Sequence, residues 1–405
     1  MKKRFNANIV LFVFAAVFIV AGLWGKCFTQ LKSDTLDMLA AFRQFSFTGA
    51  MAARDAIDDD SSDDLSYHDM MMDVDSVRNN LLGTRVVKKD DITVVKADSG
   101  SLCAPMWRIT DADIETVVSC VQKLKDVSEE NGAKFLYCIA PKKEQYEQFP
   151  SNSYNYTQDN MDRLLTRLES TDIPTLEIAD AFKRYGLADS DIFFNTDHHW
   201  RVHSGFLASA AICEELSSRY GFDYNEQYTD LQNYTVTVYP HWFLVSRGKK
   251  VGRFFTWSGA DDFELITPNF ETDMTEEQPF INSVRNGTFE ETVLFMQNMK
   301  KDYYNGSPYV TYSGGDFRLQ IMKNNLNPDG KKILLVRNSY SCVVAPFLAL
   351  QTSELHVCDM RDFSYFVGEK LNLEEYIKEI SPDYVIVLYN GASSFEDGLG
   401  QYNFF

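Results

Sequence analysis

Two apolar periods alternate along most of this chain. Ile114, Val117, Val118, Val121 and Leu124 recur at helical spacing, and Phe135-Leu136-Tyr137-Cys138-Ile139-Ala140, just before Pro141, is an unbroken apolar run of strand length. A helix near 161–168 and a strand near 174–178 come next, and Val202, Phe206, Leu207, Ala210, Ala211 and Leu216 outline a further helix face. The rhythm returns with a strand at 333–336, a helix after Ser339, a strand at 354–357, a helix at 373–380 and a strand at 384–388. A strand that is apolar on both faces needs helices above and below it. The pattern therefore predicts βαβ units, a largely parallel sheet and the α/β class.

Two regions depart from this rhythm. Between about 222 and 329 the pattern loosens: Thr235-Val236-Thr237-Val238-Tyr239 alternates like an exposed strand, and Ser246-Arg247-Gly248-Lys249-Lys250-Val251-Gly252-Arg253 sets four cations around two glycines. This stretch reads as an insertion on the sheet edge, ahead of the strand at 333–336. At the amino end, Met1-Lys2-Lys3-Arg4 precedes an uncharged run at 5–25. A bilayer core of about 30 Å needs about 20 apolar residues, so residues 1–26 are expected to be a cytoplasmic tip and a transmembrane helix, with the rest of the chain outside the cell. Leu23-Trp24-Gly25-Lys26-Cys27 offers no small-residue cleavage pattern, which favours an uncleaved anchor. Residues 27–110 read as a juxtamembrane region. Its six aspartates at 55–64 lack the spacing of a calcium loop and fit a solvated acidic segment. Residues 111–405 then form one catalytic domain.

Composition narrows the function classes. The first 26 residues hold four basic and no acidic side chains, so the remainder carries 35 Lys and Arg against 58 Asp and Glu. Such an acidic surface repels nucleic acid. The cysteines at 27, 103, 120, 138, 213, 342 and 358 are odd in number and irregularly spaced, which fits neither a disulfide framework nor a zinc site.

The chemistry concentrates in two places. Phe193-Phe194-Asn195-Thr196-Asp197-His198-His199-Trp200 sets a carboxylate two residues before an imidazole at the mouth of a helix. Far downstream, the apolar strand at 333–336 runs into Arg337-Asn338-Ser339-Tyr340-Ser341. Acyl chemistry needs a hydroxyl made nucleophilic by an imidazole, and a third group that fixes the imidazole tautomer. Ser339, His199 and Asp197 supply the three, while His198 is expected to pack or hydrogen-bond. Ser339 is preferred to Ser341 because a strand-to-helix turn projects its side chain into the crevice. Ser341, at the helix start, is expected to cap backbone donors. His199 and His203, four apart on a helix with Asp197 nearby, could instead hold a metal, although Trp200 stands where a zinc protease carries its glutamate.

Asp197-His198-His199-Trp200 resembles the naming motif of the DHHW protein family. That family is similar to the alginate O-acetylation proteins of the SGNH-hydrolase-like superfamily, and the resemblance spans about 131–390. It implies a three-layer flavodoxin-like sandwich, with Asp and the second His preceding the serine in sequence. It matches Ser246-Arg247-Gly248-Lys249-Lys250-Val251-Gly252 to the family's glycine- and lysine-rich loop, and Asn338-Ser339-Tyr340 to its nucleophile turn. Asn338 departs from the usual aspartate there. The oxyanion would meet the Ser339 N–H, with Tyr389 and Asn390 at a strand end as further contacts.

The expected function is an exported, membrane-anchored O-acyltransferase or esterase that acts on acetyl groups of a cell-surface polysaccharide. Arg247, Lys249, Lys250 and Arg253, with Ser246, would meet an anionic glycan or acyl donor. No cofactor is expected. Transfer would require a membrane partner that exports acyl groups. The alternatives are an inactive carbohydrate-binding module of the same fold and a metal-dependent hydrolase built on Asp197, His199 and His203.

Overall fold

The computed structural model describes residues 68–89, 92–391 and 399–405. The expected anchor at 1–26, Cys27 and the acidic segment at 55–64 lie outside the described residues, among which no helix is long and apolar enough to cross a membrane. The chain divides into two compact units, Met1–Val74 and Asp75–Phe405. Of the first, the described part is the opening of helix α1 (His68–Leu81).

The second unit begins with the rest of α1 and continues with β1 (Val86–Lys89), β2 (Ile92–Lys96) and β3 (Leu102–Cys103), a small antiparallel sheet. Helix α2 (Asp111–Glu130), β4 (Lys134–Ala140), α3 (Thr157–Glu169), β5 (Thr175–Glu177) and α4 (Ile178–Arg184) follow, then a short α5 (Asp189–Ile192) and the long α6 (Val202–Tyr220). The looser stretch holds β6 (Tyr234–Phe243), α7 (Arg247–Val251), β7 (Asp261–Pro268), β8 (Met274–Gln278), β9 (Ser283–Gly287), α8 (Phe289–Thr292) and β10 (Leu319–Asn324). Strand β11 (Lys332–Arg337), α9 (Ala345–Ala349), β12 (Glu354–Asp359), α10 (Leu373–Ile380) and β13 (Tyr384–Asn390) complete the chain.

The main sheet has eight strands in the order β5-β4-β13-β11-β12-β10-β8-β9. The five from β5 to β12 are parallel, and β10, β8 and β9 extend that edge with antiparallel pairings. The insertion therefore lengthens the sheet at its edge, and it adds a two-stranded ribbon of β6 and β7. Side chains alternate across each strand, so Leu335 and Ile386 face one core with Phe182, Ala211 and Leu348, while Val336 and Val387 face another with Val117, Leu164 and Ile377. Helices α4, α6 and α9 cover the first face and α2, α3 and α10 the second. This is the three-layer α/β sandwich expected from the unbroken apolar strands. The start of α2 is set by a capping box: Thr110 Oγ1 accepts from the Asp113 N–H at 3.2 Å and Asp113 Oδ2 accepts from the Thr110 N–H at 3.0 Å.

Strands β1 to β3 lie within the stretch 27–110. Val94 and Leu102 of this small sheet pack on Val251 and Phe255, and the Leu102 N–H donates to the Asn195 carbonyl at 2.8 Å. The sheet thus touches the loop that carries Asp197. Helix α6 meets the segment after β11 at Gly205, where an added methyl would lie 2.7 Å from the Val343 carbonyl oxygen. Only glycine permits that approach, because a side chain would push α6 off the turn after β11. Gly205→Ala is expected to lower stability by about 1–3 kcal/mol, the usual cost of overpacking. Urea unfolding of both proteins measures this, and an unchanged midpoint would refute it.

Candidate active site

Strand β11 is central and buried from Ile333 to Arg337, and its carboxyl end opens into a turn rather than directly into an α-helix. Asn338 caps a 3₁₀ segment, Ser339–Val343, by accepting the Tyr340 N–H on its side-chain oxygen at 3.2 Å, and α9 follows with Pro346 in its first turn. Ser339 is half-buried on this turn. The loop between α5 and α6 is pinched shut by a bridge between Phe193 and Trp200 and by the Phe194 N–H donating to the His199 carbonyl at 3.2 Å. The pinch turns Asp197 and His199 toward the nucleophile turn. His199 Nδ1 lies 2.8 Å from Asp197 Oδ2, and its Nε2 lies 2.8 Å from Ser339 Oγ.

Asp197 is wholly buried. Burial alone would disfavour its charge, yet His199 and His198 beside it hold the carboxyl well below the usual carboxylate range. An ionised carboxylate only accepts, so His199 carries its proton on Nδ1 and its Nε2 lone pair accepts the Ser339 hydroxyl. This is the protonation state a general base needs. The His199 ring is also fixed by Tyr309, stacked at 4.3 Å between centroids and 22° from parallel.

Several buried groups hold the Asp197 loop. Lys143 Nζ donates to the carbonyls of Leu102 at 2.9 Å, Asn195 at 2.6 Å and Asp197 at 3.0 Å. Asp261, at the start of β7, accepts the Asn195 N–H at 2.8 Å, and the Thr196 N–H and hydroxyl at 2.7 and 2.6 Å. One lysine thus gathers the loop's acceptors and one aspartate its donors. Trp200 Nε1 and the Tyr340 hydroxyl then tie loop to turn, donating to the Tyr340 carbonyl at 2.8 Å and the His198 carbonyl at 2.7 Å. Beneath the nucleophile turn, buried Arg337 pairs with Asp316 and donates to the Gly315 carbonyl at 2.9 Å, while Arg361 Nη2 lies 3.0 Å from Asp316. Burial opposes ionisation of Asp316, and the two guanidiniums keep its carboxyl below the ordinary range.

The basic segment differs from expectation. It forms the short helix α7 rather than a solvent-facing loop. Arg247 is buried and its Nη2 sits 2.8 Å from Glu144 Oε1, so it braces the interior and is not offered to a substrate. Burial works against the Glu144 charge, but Arg247 and Lys142 hold its carboxyl down at about 2. Lys249 is half-buried and its ammonium is lowered by burial, Lys250 is likewise half-buried, and the Arg253 guanidinium lies over the rings of Phe254 and Tyr303. Ser246 does join the site, with Oγ 2.9 Å from His198 Nδ1, and its φ of 49° is a strained conformation for a residue with a side chain.

The two strand-end candidates separate. Asn390 Oδ1 accepts from Asn338 Nδ2 at 2.9 Å beside the nucleophile turn. Tyr389 alternates to the other face of β13, where its hydroxyl donates to the Gln401 carbonyl at 3.0 Å, so it is remote from the crevice. Asn338 thus uses both halves of its amide, whereas an aspartate could not donate to Asn390. Ser341 is fully buried and its hydroxyl has no hydrogen-bond partner among the described residues, so the capping role expected of it falls to Asn338.

His203 does not complete a metal set. Among the described residues the donor atoms that cluster within 4.8 Å belong to Asp197, His198 and His199. Each is already engaged: Asp197 Oδ1 by the His198 N–H at 2.8 Å, and the others by the bonds given above. Among the described residues the six cysteines, from Cys103 to Cys358, are free thiols. Sequence reasoning missed Lys143, Glu144, Asp261, Tyr309 and Asp316. Lys142-Lys143-Glu144 did carry a signal, since charges directly after a buried strand mark the ligand-binding end of a parallel sheet.

Two outcomes follow. Lys143→Met removes the ammonium shared by the carbonyls of Leu102, Asn195 and Asp197, of which Asn195 keeps the Leu102 N–H, and is expected to cost about 3 kcal/mol in urea unfolding, with a fall in any Ser339-dependent activity. A loss below about 0.5 kcal/mol would contradict that bracing role. His198 is pushed from 6.5 down to about 4, first by burial and then by His199. Its native form thus binds fewer protons than the unfolded chain between these values, so stability should fall as pH drops from 6.5 toward 4. Because a third of its side chain meets solvent, only the sign is predicted. His198→Gln should flatten that limb in denaturation midpoints measured against pH.

Residues 107–239 match the family model described as the SGNH hydrolase-like domain of acetyltransferase AlgX. No curated protein matches the sequence. Among solved structures, Bacillus cereus PatB1 with a sulfonyl adduct aligns over 79% of this chain and 99% of its own, at 18% identity and a TM-score of 0.60. A DHHW family protein from Eubacterium siraeum aligns over 76% of this chain and 93% of its own, at 18% identity and a TM-score of 0.57. These likenesses establish a shared fold. They agree with what Asp197-His198-His199-Trp200 implied: over residues 107–239 the chain is similar to the SGNH hydrolase-like domain of the alginate acetylation protein AlgX, and its fold is similar to that of a DHHW family protein.

Proposed function

We propose that this chain is a membrane-anchored, exported O-acyltransferase or esterase that handles acetyl groups of a cell-surface or extracellular polysaccharide by a Ser-His-Asp mechanism. The observation that carries the reading is the continuous hydrogen-bonded relay from Asp197 through His199 to Ser339. The general acyltransferase class is supported by the matched domain. The anchor and the outward orientation rest on the cations and the uncharged run at residues 1–25.

In the first step Ser339 Oγ attacks the acetyl carbonyl while its proton passes to His199 Nε2. The resulting imidazolium is stabilised by ionised Asp197. The oxyanion is met by the Ser339 N–H, since the Tyr340 N–H is taken by Asn338. Collapse expels the alcohol of the donor, which receives its proton from His199 and leaves an acetyl-serine. In the second step an acceptor hydroxyl, of sugar or of water, gives its proton to His199 and attacks the acetyl group; collapse breaks the ester bond to Ser339, whose Oγ takes the proton back from His199. Where the acceptor is a sugar, the acyl group must be delivered across the membrane by a partner.

A chromogenic acetyl ester tests the chemistry directly. Wild-type protein should turn it over and be labelled at Ser339 by a sulfonyl fluoride, whereas Ser339→Ala should do neither. Asp197→Asn should lower the rate by about 10⁴, as loss of the correct tautomer does in a serine triad, and a chelator should leave the rate unaltered. An adduct mapped to Ser341, undiminished turnover in Ser339→Ala, or abolition by a chelator with restoration by zinc would each overturn this mechanism. For the topology, a reporter fused after Phe405 should be active outside the cell, and the protein should sediment with membranes.

A further inference from the structure

Two exposed aromatic platforms stand on either side of the nucleophile strand. On one side, the segment after β3 brings Met106 against Lys142 and Ala104 against Glu144, both at the carboxyl end of β4. There Trp107 is 70% exposed, with the Tyr154 ring 4.0 Å from it and Tyr156, 42% exposed, close by. Its backbone is fixed by Asn160 Nδ2 donating to the Trp107 carbonyl at 2.7 Å. On the other side, the loop leaving β12 carries Tyr365, 63% exposed, stacked on Phe363 at 5.1 Å and 13°, and Phe363 lies under the Arg361 guanidinium at 4.5 Å. Arg361 joins the Asp316 and Arg337 cluster directly beneath the nucleophile turn.

Topology places the two platforms on opposite flanks of Ser339. Strand β12 is next to β11 on one side, and β4 is two strands away on the other, which corresponds to about 5 and 10 Å along the sheet. Large exposed rings held rigid by backbone bonds and cations are costly to leave in water and suit a ligand with a flat apolar face. Each platform is one or two rings wide and rimmed by exposed polar groups: Arg108 with Asp159 beside Trp107, and Asp362 beside Tyr365. That is too small and too polar at its edges for a stable protein interface, which needs about 800 Å² per partner. It does suit a pyranose, whose axial C–H bonds form an apolar face while its hydroxyls reach the rim. The chain's charge of −19 disfavours a polyanion, and at the rims the cations already meet carboxylates, Arg108 with Asp159, and Arg318 and Lys370 with Asp362.

We propose that Trp107 and Tyr365 are stacking subsites for a neutral, equatorially linked pyranose chain that crosses the Ser339 crevice. The proposal rests on the acyl-transfer reading above and assigns its substrate class. A chain gripped on both flanks presents a central sugar hydroxyl or its acetyl ester to Ser339.

The test is calorimetric titration of the full chain, carrying Ser339→Ala so that nothing is turned over, with a hexamer of β-1,4-linked N-acetylglucosamine. Binding is expected. Trp107→Ala and Tyr365→Ala should each weaken it about tenfold, and Trp107→Phe and Tyr365→Phe should restore most of the loss. The monomer should bind at least tenfold more weakly than the hexamer, since it cannot reach both platforms. Thermal melts of each variant check the fold. Failure of the hexamer to bind, affinity untouched by either alanine variant, or tighter binding of a polyuronate hexamer through the same residues would overturn the proposal. Because binding is read without turnover, lack of esterase activity in the wild-type protein would instead count against the acyl chemistry alone.

Discussion

A single buried carboxylate sets the terms for the candidate site. Asp197 sits in the interior with no solvent to stabilise its charge, and an isolated carboxylate there would take up a proton. It stays ionised because the His198 N–H and the His199 Nδ1–H are both aimed at it. That charge fixes the His199 tautomer, and the tautomer decides whether Ser339 faces a base or a second donor. The loop geometry therefore cannot relax, which explains why Lys143, Asp261 and the pinch between Phe193 and Trp200 all converge on eight residues.

The serine is held by a different device. Its strand is locked among parallel neighbours, and the guanidinium of Arg337, two residues before the serine, ties the ends of β11 and β12 to the Gly315 carbonyl and the Asp316 carboxylate. Buried ion pairs of this kind contribute little net stability, but breaking one partner leaves a bare charge, so the arrangement is all or none. Asn338 adds a neutral link to Asn390 across the gap to β13. Loop and turn are then joined by Trp200 and Tyr340, each donating to backbone of the opposite segment. Two segments bridged in this way keep His199 and Ser339 at hydrogen-bond distance.

The insertion changes the electrostatic picture of the crevice. Its four cations suggested a surface that gathers anions, yet Arg247 points inward to Glu144, and Gly248 lets α7 lie against Thr196 with its N–H donating to the Thr196 carbonyl at 2.8 Å. The cationic cluster is thus partly structural. What the proposed subsites at its flanks offer is aromatic surface, which holds a ligand by an apolar face rather than by attracting anions.

The helices and strands of the sandwich were legible in the sequence because a buried parallel strand must be apolar on both faces and its covering helices on one. Residues 135–140, 333–336 and 384–388 therefore announce themselves. The relay was legible as well: Asp197 and His199 are local to one loop, and a serine directly after a buried strand has few places to point. The edge strands β8 and β10 were not, since Met274–Gln278 carries Glu276 and Glu277 side by side, one on each face, and looks like loop. Arg247 was misplaced for a similar reason, because a cation's partner is fixed by distance in space and Glu144 lies 103 residues away in sequence. Asp261, Tyr309 and Asp316 had no local signal at all. Sequence periodicity specified the layers and the order of the chemical groups; only the tertiary packing decided which charges meet, since a buried ion pair is chosen by whichever chain segments the core brings together.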